Sequence, residues 1–174
     1  FKNEEASMQD IGTYEQIATG QMVYNSALEP QLEQLDREVL FEHLKNVEDL
    51  RAESSILDSF YNANVSNSLG ATVNSRDAAA MAYNAATADA ALQSAADIAP
   101  QNLSEANTKT IQEIYLQTYG RGDAQLDSAQ LVLVEAIARQ CFVFGGPSVF
   151  LARTMYYTAT GSIDNSFQDF CLEN

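Results

Sequence analysis

The sequence predicts an all-α fold, a compact multi-helix bundle of about five to seven helices, and three observations carry that expectation. No stretch of any length alternates apolar and polar residues with the period of two that a half-buried strand requires. The short run Leu131-Val132-Leu133-Val134 is flanked by helix formers. Apolar residues recur instead every three to four positions over most of the chain. Between these periodic segments stand capping residues, glycines and prolines, placed where helices start and stop.

In residues 3–24, Met8, Ile11, Ile17, Ala18 and Val23 have helical spacing, interrupted by Gly12 and Gly20. Ser26 and Glu29 then have capping-box spacing, and Pro30 suits a first turn. A long helix is expected from about 27 to 61, the spine of a bundle. Its apolar stripe is Leu28, Leu32, Leu35, Val39, Leu44, Val47, Leu50, Leu57 and Phe60. Residues 62–75, NANVSNSLGATVNS, have the Asn, Ser and Gly density of a loop, with Asn74 capping the next helix. That helix is Ala-rich and expected over 76–98. Its small side chains suit close approach of a neighbour, with Met81, Tyr83, Leu92 and Ile98 supplying bulk.

Pro100 closes the Ala-rich helix, and another opens at Ser104, with Ile111, Ile114, Tyr115 and Thr118 sharing a face until Gly120 and Gly122. Asp127 and Gln130 cap a helix over 128–143 that is apolar over a wide arc and therefore expected at the centre. Gly145 and Gly146 break it and Pro147 starts another, which makes a tight structural corner. The second arm carries Val149, Phe150, Ala152, Met155 and Tyr156. Residues 1–100 form an N-terminal helical part and 101–174 a C-terminal module, expected to join as one unit.

With 174 residues, 46% of them hydrophobic, the chain can bury a substantial core. Nine basic residues against 24 acidic ones give a net charge of −15, and no run of Lys and Arg tracks phosphates. Nucleic acid and anionic lipid are thus disfavoured as partners, and other protein subunits are expected instead. No apolar window reaches the roughly 18 residues of a transmembrane segment. The sequence begins at Phe1, so the expectation is a removed targeting segment or a fragment of a longer chain.

No nucleophile motif accompanies His43, the sole histidine, which reads as a helix-boundary residue; no catalysis and no cofactor are expected. Glu42, Glu48, Asp49 and Glu53 interleave with Lys45 and Arg51 as a solvated face. Asp123 and Asp127, in GRGDAQLD, are weak candidates for Ca²⁺, but the alternating acids and closing glutamate of a calcium loop are missing. The same loop holds the triplet Arg121-Gly122-Asp123, a low-information match to an integrin-recognition sequence. The glycine pair of the corner can present backbone N–H groups to an anion, without the lysine of a phosphate loop. Asn64 and Asn102 each begin a glycosylation acceptor triplet.

Phe142, Phe144, Phe150, Tyr156 and Tyr157, with Phe167 and Phe170 behind them, read either as core and tail-docking surface or as a patch that grips another protein. Cys141 and Cys171 lie 30 positions apart and cannot complete a zinc set with His43. The expected reading is a disulfide, because the second cysteine stands in the polar tail NSFQDFCLEN that a cross-link would dock, and it would place the chain outside the cytoplasm; a pair of buried reduced thiols is the alternative.

The segments IQEIYLQTYGRG, SAQLVLVEAIARQC and GGPSVFLARTMYY, with the late cysteine of DFCLEN, resemble a helical module of large secreted surface proteins of Bacteroidota, where it lies ahead of a type IX secretion sorting domain. The likeness covers residues 104–171. It implies an exported structural or adhesive module at the cell surface, or in the periplasm, in which Cys141 and Cys171 pair. The sequence departs from that pattern in having Phe142, not proline, after the cysteine, and in showing no sorting domain by Asn174. Two further classes compete with this reading: a calcium- or small-ligand-binding helical protein, and an intracellular interaction domain.

Overall fold

The computed structural model describes residues 4–24, 27–82, 84–123, 125–161 and 167, with side chains from residue 11 onward. Among these the chain is all-helical, with ten α-helices and one 3₁₀ turn and no strand. That exceeds the expected five to seven helices, because the segment read as one long helix and the Ala-rich helix are both subdivided and a short helix stands in the glycine-proline corner. The chain forms two compact units, Phe1–Gly70 and Ala71–Asn174, and the division expected near residue 100 falls within the second.

In the first unit, α1 (Glu4–Thr19) packs on α2 (Glu29–Asn46) and α4 (Ser55–Asn64), with the short α3 (Glu48–Glu53) between the last two. The long helix expected over 27–61 is therefore three helices. The chain leaves helical geometry at Val47 (φ −126°, ψ 83°) and again at Ser54 (φ −138°, ψ 119°). Neither break needs a glycine or proline. At the second, the Ser54 hydroxyl accepts the Leu57 amide at 3.3 Å and donates to the Glu15 carboxylate at 2.6 Å, so one side chain caps α4 and ties it to α1. The breaks also re-phase the apolar stripe. Leu40, Phe41, Leu44, Leu57 and Phe60 are buried, whereas Val39 and Val47 face solvent. Phe41 stacks on Tyr61 with ring centroids 5.2 Å apart, and the Arg51 guanidinium lies over Tyr61 at 4.2 Å.

The segment read as a loop over 62–75 is helical from residue 68, as α5 (Ser68–Ala80), and Asn74 lies in its interior instead of capping it. Its small residues serve packing. A Cβ at Gly70 would collide with the Asn64 carbonyl oxygen and come within 2.7 Å of that of Val65, so only glycine lets this helix start against the end of α4.

In the second unit, α6 (Ala85–Ala96) begins with a capping box between Asn84 and Thr87, which separates it from α5 within the helix expected over 76–98. Ala79, Ala82, Ala88 and Ala91 pack with Leu116, the close approach that the alanine content implied. Met81, expected to add bulk, is 79% exposed. Helix α7 (Leu103–Gln117) is capped by Asn102, two residues before the expected Ser104, and a 3₁₀ turn (Tyr119–Arg121) comes after it. The Lys109 ammonium donates to the carbonyls of Ala96 and Ile98 at 2.9 and 2.8 Å, closing the C-terminal end of α6. Ile111 and Ile114 of α7 meet Val134, Ile137 and Ala138 of α8 (Ser128–Ala138) and Val149, Ala152 and Met155 of α10 (Ser148–Thr160) in one core. Helix α8 stops at Ala138 and is half-exposed, with Val132 65% accessible. The most buried helix of the unit is α7, which corrects the expectation that 128–143 is central.

Candidate interaction surface at the Gly145-Gly146-Pro147 corner

After α8, Arg139 and Gln140 lead to Cys141, which is extended and opens α9 (Phe142–Gly145). Gly146 then takes φ +75° and ψ −176°, a conformation open to glycine, and Pro147 precedes α10. The expected glycine-proline corner is present, with one short helix inside it. Two first-turn amides of α10 are occupied within the chain: Val149 N–H donates to the Gly146 carbonyl at 3.2 Å and Phe150 N–H to that of Pro147 at 3.1 Å.

A polar strip on α7 holds the corner. A side chain on Gly146 would run into the Ser104 hydroxyl and approach the Ser104 Cβ at 2.7 Å. The Asn107 amide donates to Gln140 Oε1 at 2.7 Å and to the Gly145 carbonyl at 2.9 Å, and the hydroxyls of Thr108 and Ser148 lie 2.5 Å apart. Ser104, Asn107, Thr108 and Ser148 are all buried, so each contact is made where an unpaired polar atom is costly. From the other side, Arg153 donates to the carbonyls of Ala138 at 3.0 Å and Gln140 at 3.2 Å, neutralising the C-terminal end of α8. Sequence reasoning missed these residues. The available signal was the helical spacing of Ser104, Asn107, Thr108 and Gln112, a polar stripe running onto the apolar face at Ile111.

Above this buried base the five aromatic candidates divide. Phe142 and Tyr156 are partly buried against the core, while Phe144, Phe150 and Tyr157 are 39%, 51% and 48% exposed. Phe142 lies 5.7 Å from Phe150 between ring centroids, and the Arg153 guanidinium is 5.7 Å from the Phe150 ring. Tyr156 meets Phe167 edge to face at 5.2 Å, and the Arg139 guanidinium lies 5.4 Å from the Phe167 ring. On α8, Val132 and Leu133 are exposed. Between Ser128 and Gly161 there are three charged residues, Glu135, Arg139 and Arg153, and the first two pair at 2.7 Å. In a chain of net charge −15, this stretch is close to neutral.

The other candidates occupy structural roles. Asp127 caps α8 by accepting the Gln130 amide at 2.8 Å, and Asp123 accepts the Gln125 amide at 3.1 Å. Arg121 pairs with Asp89 and donates to the Leu116 carbonyl at 3.2 Å, so both charged members of the Arg-Gly-Asp triplet are engaged. Among the described residues no group of three or more His, Cys, Asp or Glu side chains converges to hold a metal ion. His43 lies 5.4 Å from Tyr14 between ring centroids. An open hollow lined by Glu48, Asp49, Arg51, Ala52, Ser55 and Asp58 marks the first unit. Asn64 is buried, with its amide donating to the Phe60 carbonyl at 2.7 Å, and Asn102 is spent as the α7 cap. Cys171 and Phe170 lie outside the described residues. No described helix is long and apolar enough to cross a membrane. No protein family matches the chain, and neither characterised proteins nor solved structures show a match to it.

Proposed function

We propose that the chain is an exported helical module, without catalysis of its own, that binds another protein subunit through the α8–α10 side of its second unit at a cell surface. The observation that carries the reading is the exposure of Phe144, Phe150, Tyr157, Val132 and Leu133 on a nearly charge-free stretch of a strongly acidic chain. Large exposed apolar side chains mark candidate contact surfaces and aromatic residues anchor such contacts; Phe150 and Tyr157, seven positions apart, share one face of α10. The polar strip on α7 supports this role by fixing the corner, so that the aromatic side chains need little reordering on binding. The partner is a protein with an apolar surface able to receive aromatic rings. Placement outside the cell rests on the likeness over residues 104–171, and a Cys141–Cys171 bridge would clamp the tail there.

Two measurements test the reading. Labelling intact cells with a membrane-impermeant amine reagent modifies the protein if it is exported, and only lysed cells give labelling if it is not. Phe150→Glu and Tyr157→Glu, both at exposed positions, release the protein from its native assembly while its helical circular dichroism stays unchanged. Retention of both variants in that assembly defeats the proposal.

A further inference from the structure

We infer that the partner received by α10 is a second copy of this chain, the two α10 helices packing antiparallel about a two-fold axis at Thr154. This deepens the proposed binding surface and rests on it. Phe150, Leu151, Thr154, Tyr157 and Thr158 are exposed, and their spacing sets them along one side of the helix. That side is less polar than its residue types suggest. Thr154 donates its hydroxyl to the Phe150 carbonyl at 3.0 Å and Thr158 to that of Thr154 at 2.8 Å, so both hydroxyls turn back onto the helix and leave their methyl groups outward. No carboxylate stands on α10, and its one base, Arg153, is engaged with the carbonyls of Ala138 and Gln140.

Two features select a second copy as the occupant. The first is self-complementarity. In an antiparallel pair with its axis at Thr154, each residue faces the one equally far beyond position 154 on the other chain. Phe150 then faces the partner's Thr158 and Leu151 the partner's Tyr157, a large side chain against a smaller one in each pair. The small Thr154 lies at the crossing, where the two backbones come closest. The second feature is charge. Two chains of net charge −15 repel each other, and α10 is a helix through which they can meet without setting carboxylates face to face. One helix pair covers less than the roughly 800 Å² per partner of a standard interface, so the association is weak and depends on concentration.

The test is sedimentation velocity of the full chain, which is expected to pass from monomer toward dimer between about 5 and about 500 µM. Raising NaCl from about 50 to about 500 mM should move that passage to lower concentration, because salt screens the repulsion between two acidic chains. Thr154→Glu and Thr154→Lys, at an exposed position, each set like charges together at the axis and should weaken dimerisation at least about tenfold. An equal mixture of the two variants should regain it, because unlike charges then meet. Dimerisation that neither variant weakens overturns the α10 contact, and a mixture no better than the single variants overturns the axis at Thr154. A wild-type chain that stays monomeric up to about 500 µM overturns self-pairing. Photo-crosslinking from position 150 then tells the two readings apart: an adduct with a different protein leaves the binding surface standing, and no adduct removes both.

Discussion

The Asn107 side-chain amide donates to the Gly145 carbonyl at 2.9 Å across 38 positions of sequence, joining α7 to the corner between α9 and α10. The same nitrogen reaches Gln140 Oε1 at 2.7 Å, so one buried side chain satisfies acceptors on both sides of Cys141. The corner is held by polar contacts of defined direction, and substitutions there test the arrangement.

Asn107→Ala is expected to destabilise the second unit by about 1–3 kcal/mol, because two acceptors at the buried corner lose their donor. Urea unfolding combined with hydrogen exchange at the α7 and α10 amides measures the effect. Unchanged protection in both helices would show that the bond carries no stability.

Gly146→Ala meets both a glycine-only backbone conformation and the Ser104 side chain, and is expected to cost about 2 kcal/mol or more. Gly161→Ala shares a positive φ, +68°, but nothing lies within 4 Å of its Cβ position, so only the backbone penalty of about 1 kcal/mol applies. Gly146→Ala should therefore lower the melting temperature by more than Gly161→Ala, through the collision and the rarer backbone conformation together. Equal shifts would contradict the contact with Ser104.

In the first unit, Ser54→Ala removes the α4 cap and the hydrogen bond to Glu15, and is expected to cost about 1–2 kcal/mol. Ser54→Asp keeps a capping acceptor but sets a second carboxylate against Glu15. It should therefore recover less stability than a neutral capping side chain such as Ser54→Thr. Denaturant titration of the three variants separates these outcomes.

The Tyr24 phenol donates to Asp36 at 2.6 Å, and burial first, then this bond and the neighbouring charges of Asp36, Glu33 and Glu29, push its pKa up. An unfolded tyrosine titrates near pH 10. Above that pH the unfolded chain releases a proton that the folded one still holds, so the stabilisation present below about pH 10 is lost as pH rises through the folded value. Tyr24→Phe should therefore flatten the alkaline decline of stability, as denaturant titrations between pH 8 and pH 11 would measure. Tyr119, whose phenol burial also raises, contributes in the same direction in the second unit.

Much of this architecture is legible in the sequence. Helical periodicity, the Asp127-Gln130 cap and the glycine-proline corner all appear in the structure, because each depends on residues near one another in the chain. The long helix over 27–61 is absent, since its breaks at Val47 and Ser54 lack glycine and proline. Their trace was the order of charge: His43 and Lys45 end α2, Glu48 and Asp49 begin α3, Arg51 ends it and Asp58 begins α4. Gly70 looked like a loop residue because its reason, the carbonyls of Asn64 and Val65, is a matter of packing. For the same reason Asn107, Thr108 and Ser148 passed unnoticed: their partners come from 33 to 40 positions away.

The most direct test of the central claim is photo-crosslinking in the native setting, with benzoylphenylalanine at position 150 and, as a control, at the exposed Asn62 of α4. The account predicts a discrete adduct with another protein from position 150, lost when Tyr157→Glu is added, and none of the same mass from position 62. No adduct at 150, or the same adduct from both positions, would contradict a partner surface on the α8–α10 side.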